Sequence, residues 1–349
     1  AKDCGGVYFD LEQDSGRMRL DVNWPGMGGS RELVILDEAQ TFPEIFPRLR
    51  GAIDEDRGRN GRFLLLGSVS PALMRQVSES LAGRLAIVEL TPFLLSELGA
   101  ERLDDLWLMG GYPGGGILGA GAYPDWEADY LRLMAERDLP NWGLSAAPRV
   151  TARLLKMSAA LNAQALNLSQ LGQSLGISHP TVRSYLDFLE GAYLLRCLPA
   201  FHANIRKRLV RAPRLYWRDC GLLHSLMGVK TFEHLLAQPW VGASWEGFVV
   251  EQIISFYGAL GEHPDFYYLR TSDGHEIDLI IEHSGERWAV EVKLSTAPAP
   301  QDLRRLKKVA DLCGCDRSFL LSRTPEPVIS DEGGSVNLRA FLEMISTSQ

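Results

Sequence analysis

Residues Leu33 to Gln40 read LVILDEAQ, four apolar side chains running into Asp37 and Glu38. A short apolar run of this kind fits a strand buried on both faces, with the two carboxylates at its carboxyl tip. Working outward, VYFDL (Val7 to Leu11), RFLLLGS (Arg62 to Ser68) and LAIVEL (Leu85 to Leu90) are further strand candidates. Helix-like stretches separate the last three of the four, which predicts an α/β parallel sheet. At such a strand tip Asp37 would coordinate Mg²⁺ through water, and Glu38 would orient or deprotonate an attacking water. Ser68, after Gly67, would place a hydroxyl beside the pair, and Arg84 would bring positive charge to phosphate oxygens. The plainer reading is that Asp37 and Glu38 only cap the next helix.

Such a pair works beside a phosphate-binding loop, and the 349 residues contain no G-x-x-x-x-G-K-[ST]. Gly228-Val229-Lys230-Thr231 lacks the Gly-Lys adjacency and follows no strand. Gly114 to Gly119 (GGGILG) fits G-x-G-x-x-G by letter, but Tyr112-Pro113 precedes it.

With 46% hydrophobic and 23% charged residues the composition is that of a globular chain long enough for two or three domains. A net charge of -8 excludes a nucleic-acid coat over the whole surface and leaves room only for a local basic stripe. Five cysteines make no disulfide framework, and Cys313-Gly314-Cys315 lacks zinc-site spacing, so a reducing cytoplasm is expected. The longest uncharged run, Leu106 to Pro124, is broken by glycines and prolines, so no membrane span is expected. The opening AKDCGG has neither an initiator Met nor signal-peptide features, and these are not expected to be the native first residues.

From Asp125 to Leu161 the pattern is helical. LSQLGQSLGISHPTVRSYLDFLEGAYLL (Leu168 to Leu195) then predicts a helix ending at Gly176, an N-cap at Ser178, and a second helix turning Val182, Tyr185, Leu186 and Leu189 inward. This is a helix-turn-helix followed by a strand-like wing. Its second helix would expose Ser178, His179, Thr181, Arg183 and Ser184 toward base edges or phosphates. After it comes FHANIRKRLVRAPRLYWR, with Arg206, Lys207, Arg208, Arg211, Arg214 and Arg218 and no acid, the best candidate for a phosphate footprint. A plain protein contact is the competing use of such a module.

The last third predicts a helix (WEGFVVEQIISFYGAL), strands FYYLR, EIDLIIEH and RWAVEVKL, and a helix from Gln301 to Leu312. Alternation places Asp278 and Ile280 on one face opposite Ile277, Leu279 and Ile281, and sets Glu291 and Lys293 on a common face. If the strands pair through the HSGER turn, Asp278, Glu291 and Lys293 converge. Two carboxylates there would hold Mg²⁺ or Mn²⁺, and the lysine would polarise a water for attack on a phosphodiester. A structural ion pair is the alternative. No H-E-x-x-H or G-x-S-x-G occurs, and Trp217, Trp240, Trp245 and Trp288 are read as packing residues.

Through LVILDEAQTFPEIFPRLR, FLLLGSVSPALM, SESLAGRLAIVELTPFLLSEL, GGYPG and YLRLMAERDLP, the chain resembles the predicted AAA+-like ATPases of bacteria and archaea that carry a C-terminal winged helix and a nuclease-like domain. The resemblance implies a P-loop NTPase-type sheet in which LVILDE is the Walker B strand. It implies a Gly-rich loop ending Gly-Lys-Thr/Ser ahead of VYFDL, and a first strand lying between RFLLLGS and LAIVEL. That loop is expected to have lain upstream and to be lost here. The Asp…Glu-x-Lys pattern looks like that of restriction-endonuclease-like folds, with Glu246 matching the acid of their first helix and Glu251 a competing choice.

The resulting expectation is an α/β chain of three parts: residues 1–100, an AAA+-like core without its phosphate loop; 101–240, a helical linker and winged helix; 241–349, a nuclease-like α/β domain. Its ligands would be ATP and Mg²⁺ in the intact protein, with Asp37 as the cofactor and metal residue of an ATPase half-site formed with Glu38, Ser68 and Arg84. The nuclease-like site would comprise Glu246, Asp278, Glu291 and Lys293, with Asp278 and Glu291 on the metal. DNA, a second copy or a protein partner would meet the winged helix, and this chain alone would not hydrolyse ATP. The alternatives are a metal-dependent nuclease and a non-catalytic binding module with a degenerate nuclease fold.

Overall fold

The computed structural model describes residues 5–27, 30–67, 80–119, 121–201, 210–271 and 274–347. Contacts divide the chain into two units, Ala1–Ile87 and Val88–Gln349.

In the first unit β1 (Val7–Asp10), β2 (Val34–Asp37) and β3 (Phe63–Leu65) form a parallel sheet in that order. The register sets Asp10 beside Asp37 and Leu36 beside Leu65. Because β2 is central, Val34, Ile35 and Leu36 are all buried, which is why the run is apolar without alternation. The helices Asp14–Met27 and Ile45–Glu55 connect the strands and supply Leu20, Ile45, Phe46 and Leu49 to a core with Phe9 and Leu36.

The expected fourth strand is absent. Residues 85–90 have no regular structure, and Val88 and Leu90 are 84% and 98% exposed. An apolar run becomes a strand only where a neighbouring backbone pairs with it, and no described strand does so here.

In the second unit the helices Asp125–Leu133 and Pro148–Ala160 precede the pair Leu168–Leu175 and His179–Gly191. Gly176 closes the first of that pair in the left-handed conformation, and Ser178 accepts the Thr181 amide as N-cap. Val182, Leu186 and Leu189 are buried and Tyr185 half-buried, as their spacing predicts. A small antiparallel sheet brackets the pair in sequence, ordered β4 (Gln164–Ala165), β6 (Arg214–Trp217), β5 (Leu195–Leu198).

The helix Val241–Ala259 is apolar on all sides and correspondingly buried. It lies on one face of a six-stranded mixed sheet ordered β11 (Val328–Ser330), β12 (Gly333–Val336), β10 (Arg317–Leu321), β9 (Glu286–Val292), β8 (Glu276–His283), β7 (Asp265–Arg270). The helix Pro300–Leu312 covers the other face through Leu306, Val309 and Ala310. A two-residue turn, Ser284 and Gly285 with φ of 52° and 84°, joins β8 to β9, the conformation a tight hairpin requires.

The simple alternation predicted for β8 fails at one point. Tyr268 of β7 stands opposite two residues of β8, Asp278 and Leu279, so Ile277 packs with Ile280 and not with Leu279 and Ile281. Such a bulge re-aims the side chain at its centre, here Asp278.

Candidate functional site

Parallel pairing of β1 and β2 brings the strand tips of the first unit together. The Tyr8 hydroxyl donates to Asp37 Oδ2 at 2.5 Å, and the Glu38 amide donates to Asp37 Oδ1 at 3.1 Å. The bond to Asp37, more than burial, pushes the Tyr8 phenol up to about 12, so the tyrosine keeps its proton as a donor. Glu38 sits in the left-handed region (φ 52°), an unusual place for a glutamate, and its carboxylate accepts the Gln40 amide. Gln40 in turn crosses Gly67, where a Cβ would lie 2.2 Å from its Oε1. Tyr8, Asp10 and Gln40 thus belong to this tip without having been singled out in the sequence; the strand register was the signal that could have found them. Ser68 lies outside the described residues. Arg84 does not stand free for phosphate: both its Nε and Nη2 are 2.9 Å from the Asp54 carboxylate, whose pKa it holds down to about 2.

In the second unit Glu246 and Asp278 come together around a residue assigned a different role by the sequence, and Glu291 and Lys293 lie within reach of Asp278's charge. Arg214, at the start of β6, is 2% exposed. Its Nη1 donates to Glu246 Oε1 at 2.8 Å and to Asp278 Oδ1 at 3.0 Å, and Nη2 lies 3.7 Å from Glu276. The guanidinium stacks 4.6 Å over the Tyr268 ring, and the Tyr216 hydroxyl donates to the same Glu246 oxygen at 2.6 Å. Asp278 accepts the Val292 amide at 2.9 Å through its second oxygen. Lys293 donates to Glu291 Oε1 at 2.6 Å, while Glu291 Oε2 is buried without a partner. Burial first, then the charge of Asp278, pushes the Glu246 and Glu291 carboxyls up. Beside Glu291 and Lys293 opens a polar cavity of about 370 Å³ that also touches His275, Glu276, Asp302 and Arg305.

Two further expectations are corrected here. The stripe from Arg206 to Arg218 is not a continuous phosphate footprint, because Arg214 is buried among carboxylates and Arg218 is bound to Glu89 and Glu251. Glu251 is likewise no alternative to Glu246, since Arg196 and Arg218 hold it elsewhere. An acid-free run in an acidic chain reads as surface, and only the fold shows its partners to be 32 and 64 residues away. Arg206, Lys207 and Arg208 lie outside the described residues. Ser178, His179, Arg183, Ser184 and Arg211 are exposed and Thr181 half-buried, with Arg183 3.3 Å from Asp187. Trp217, Trp245 and Trp288 are core residues, and Trp240 packs against the cluster that holds Trp245 and Trp288. Among the described residues no cluster of three or more His, Cys, Asp or Glu side chains is arranged to hold a metal, and no helix is long and apolar enough to cross a membrane.

Comparison with known proteins adds the following. A model described as an AAA domain matches residues 7–99; two described as domains of unknown function, DUF8612 and DUF4143, match 100–233 and 241–340. The uncharacterized proteins Rv2008c of Mycobacterium tuberculosis and Mb2031c of Mycobacterium bovis are each 38% identical over 334 residues, covering 93% of this chain and 74% of the relative. Protein VC1899 from Vibrio cholerae, known from a crystal structure, is 12% identical with a TM-score of 0.23, covering 95% of this chain and 78% of that one.

Proposed function

The chain belongs to the family of the mycobacterial proteins Rv2008c and Mb2031c, and we propose that it is the body of an ATP-switched protein whose nucleotide site is only half present in these 349 residues. The observation that carries this is the Asp37–Glu38 pair at the carboxyl end of the central strand of a parallel sheet, within the stretch matched by the AAA domain. Two acceptor carboxylates at a strand tip suit the metal-and-water half of an ATP–Mg²⁺ site. The backbone cradle, lysine and hydroxyl that would take the phosphates belong to a motif the chain does not contain. Bound Mg²⁺ would neutralise phosphate charge there; Asp37 would hold its water shell and Glu38 would orient the attacking water. ATP would then bias the arrangement of the helix-turn-helix and the C-terminal sheet through contacts that differ between states.

Calorimetry of Mg²⁺-ATP tests this, on the chain as given and on the chain preceded by a segment bearing G-x-x-x-x-G-K-[ST]. Binding is expected only in the second, and Asp37→Ala should remove it. Turnover by the present chain that is blocked by Asp37→Ala would overturn the reading.

Within the same protein, the helix His179–Gly191 would meet DNA through Ser178, His179, Thr181 and Arg183, with the exposed Arg211 a further candidate contact. A second reading, metal-dependent cleavage of DNA, draws on the approach of Asp278, Glu246, Glu291 and Lys293. The donors are of the right kind for Mg²⁺ or Mn²⁺. Their arrangement is not: the Arg214 guanidinium stands between Asp278 and Glu246 and donates to both. No cleavage step follows from this geometry.

A further inference from the structure

We propose that Arg214 is the resident cation of the carboxylate centre, holding the position between Glu246 and Asp278 that a divalent ion would need and excluding that ion while it is there. This rests on reading Glu246, Asp278 and Glu291 as a cation-binding centre. One nitrogen shared by two carboxylates, from a helix and from a bulged strand, is how a common counter-ion sits between like charges. Arginine suits the post because it cannot shed its proton, so burial does not neutralise it as it would a lysine. Among the described residues the cations paired with Glu246, Glu276, Asp278 and Glu291 are Arg214, Arg270 and Lys293, so removing Arg214 leaves the carboxylates short of positive charge.

The arginine is also delivered, not merely tolerated. Its backbone pairs with Ala165 and Leu198, the Ala212 carbonyl accepts the Tyr268 hydroxyl, and the Val210 amide donates to the Arg270 carbonyl at 2.9 Å. Arg214 therefore fastens the small sheet that brackets the helix-turn-helix to the strands that carry Asp278. A guanidinium held from both sides along its own strand is part of the framework. In this state the centre is a metal-free junction between the two regions.

The test is Mn²⁺ binding, followed by electron paramagnetic resonance and calorimetry, on the full chain. Wild type should bind no Mn²⁺ at millimolar concentration, and its thermal midpoint should not move when the ion is added. Arg214→Gln should bind at least about tenfold more tightly than wild type, through the freed carboxylates, and adding Asp278→Asn should abolish the gain. Should Arg214→Gln fail to fold by circular dichroism, Glu246→Gln with Arg214→Gln removes one charge of each sign and leaves Asp278 and Glu291 to take the ion. Wild type binding Mn²⁺ as tightly as the variants, or being stabilised by it in an Asp278-dependent way, would show that Arg214 excludes nothing, while the reading of the centre would stand. No gain in any folded variant would remove both.

Discussion

His224 is buried with both ring nitrogens engaged: Nδ1 lies 2.8 Å from the Leu108 carbonyl and Nε2 2.6 Å from Ser244 Oγ, which also accepts Trp107 Nε1 at 3.0 Å. A carbonyl only accepts, so Nδ1 carries the hydrogen, and the serine hydroxyl is free to donate to Nε2. The neutral imidazole satisfies every group, and burial pushes its pKa down from 6.5 to about 4. The unfolded chain therefore takes up a proton as the pH falls below 6.5, and the folded chain does not until about 4. Stability from this residue is complete above the upper value and is lost on the way to the lower one, about 3 kcal/mol in all. Asp219 opposes it: burial raises that carboxyl from 3.8 to about 6, so the folded state gains a proton first as the pH falls. Nitrogen chemical shifts separate the two effects. His224 should keep the neutral pattern down to about pH 5; titration of His224 above that range would refute the assignment. Residues of this kind were silent in the sequence, and Arg214 read there as a surface cation, because burial of a polar side chain is a property of its distant partners. That Asp278, Glu291 and Lys293 lie near one another was legible from the pairing of two strands joined by a tight turn, whereas the bulge that re-aims Asp278 was not.

Elements were most legible where local chemistry both starts and stops them. Ser178 and Gly176 bracket the turn between two helices, and an N-cap bond and a left-handed C-cap are worth most to short helices. LAIVEL failed because a strand depends on its neighbour, and β10, β11 and β12 were not read at all because they are short and two of them carry glycine or exposed positions. The second helix of the pair yields the prediction at this scale. Arg183 and Arg211 are exposed, so replacing either by alanine should change stability by no more than about 0.5 kcal/mol. If this face meets DNA, each replacement should weaken binding of a duplex about equally across sequences and lower the salt slope by about one. Measured by fluorescence anisotropy at several salt concentrations, binding that is absent at low salt, or unaffected by both replacements, would leave the helix pair as a protein contact.

At the scale of the whole molecule, each unit has a hydrophobic core of its own among the described residues. Phe9, Leu36, Phe46 and Leu81 belong to a cluster confined to the first unit, whereas the buried residues of the cluster holding both Trp107 and Phe319, and of the one holding Leu186, begin at Leu94 or later. The first is also much the smaller, and stability from burial grows with the size of the core. Separate cores predict separate cooperative transitions, with the sheet of β1, β2 and β3 melting first. Calorimetry with one substitution in each unit decides this. Phe46→Ala removes a side chain that is 1% exposed and should cost its unit about 3–5 kcal/mol, moving or abolishing the lower transition alone. Phe319→Ala, at a fully buried position on β10, should lower only the upper one. A single transition shifted by both substitutions would mean that the units fold together. The split matters for the ATP reading, because a nucleotide site completed on the smaller unit would stabilise it by mass action and raise the lower transition first. Mg²⁺-ATP added to the chain as given should move neither.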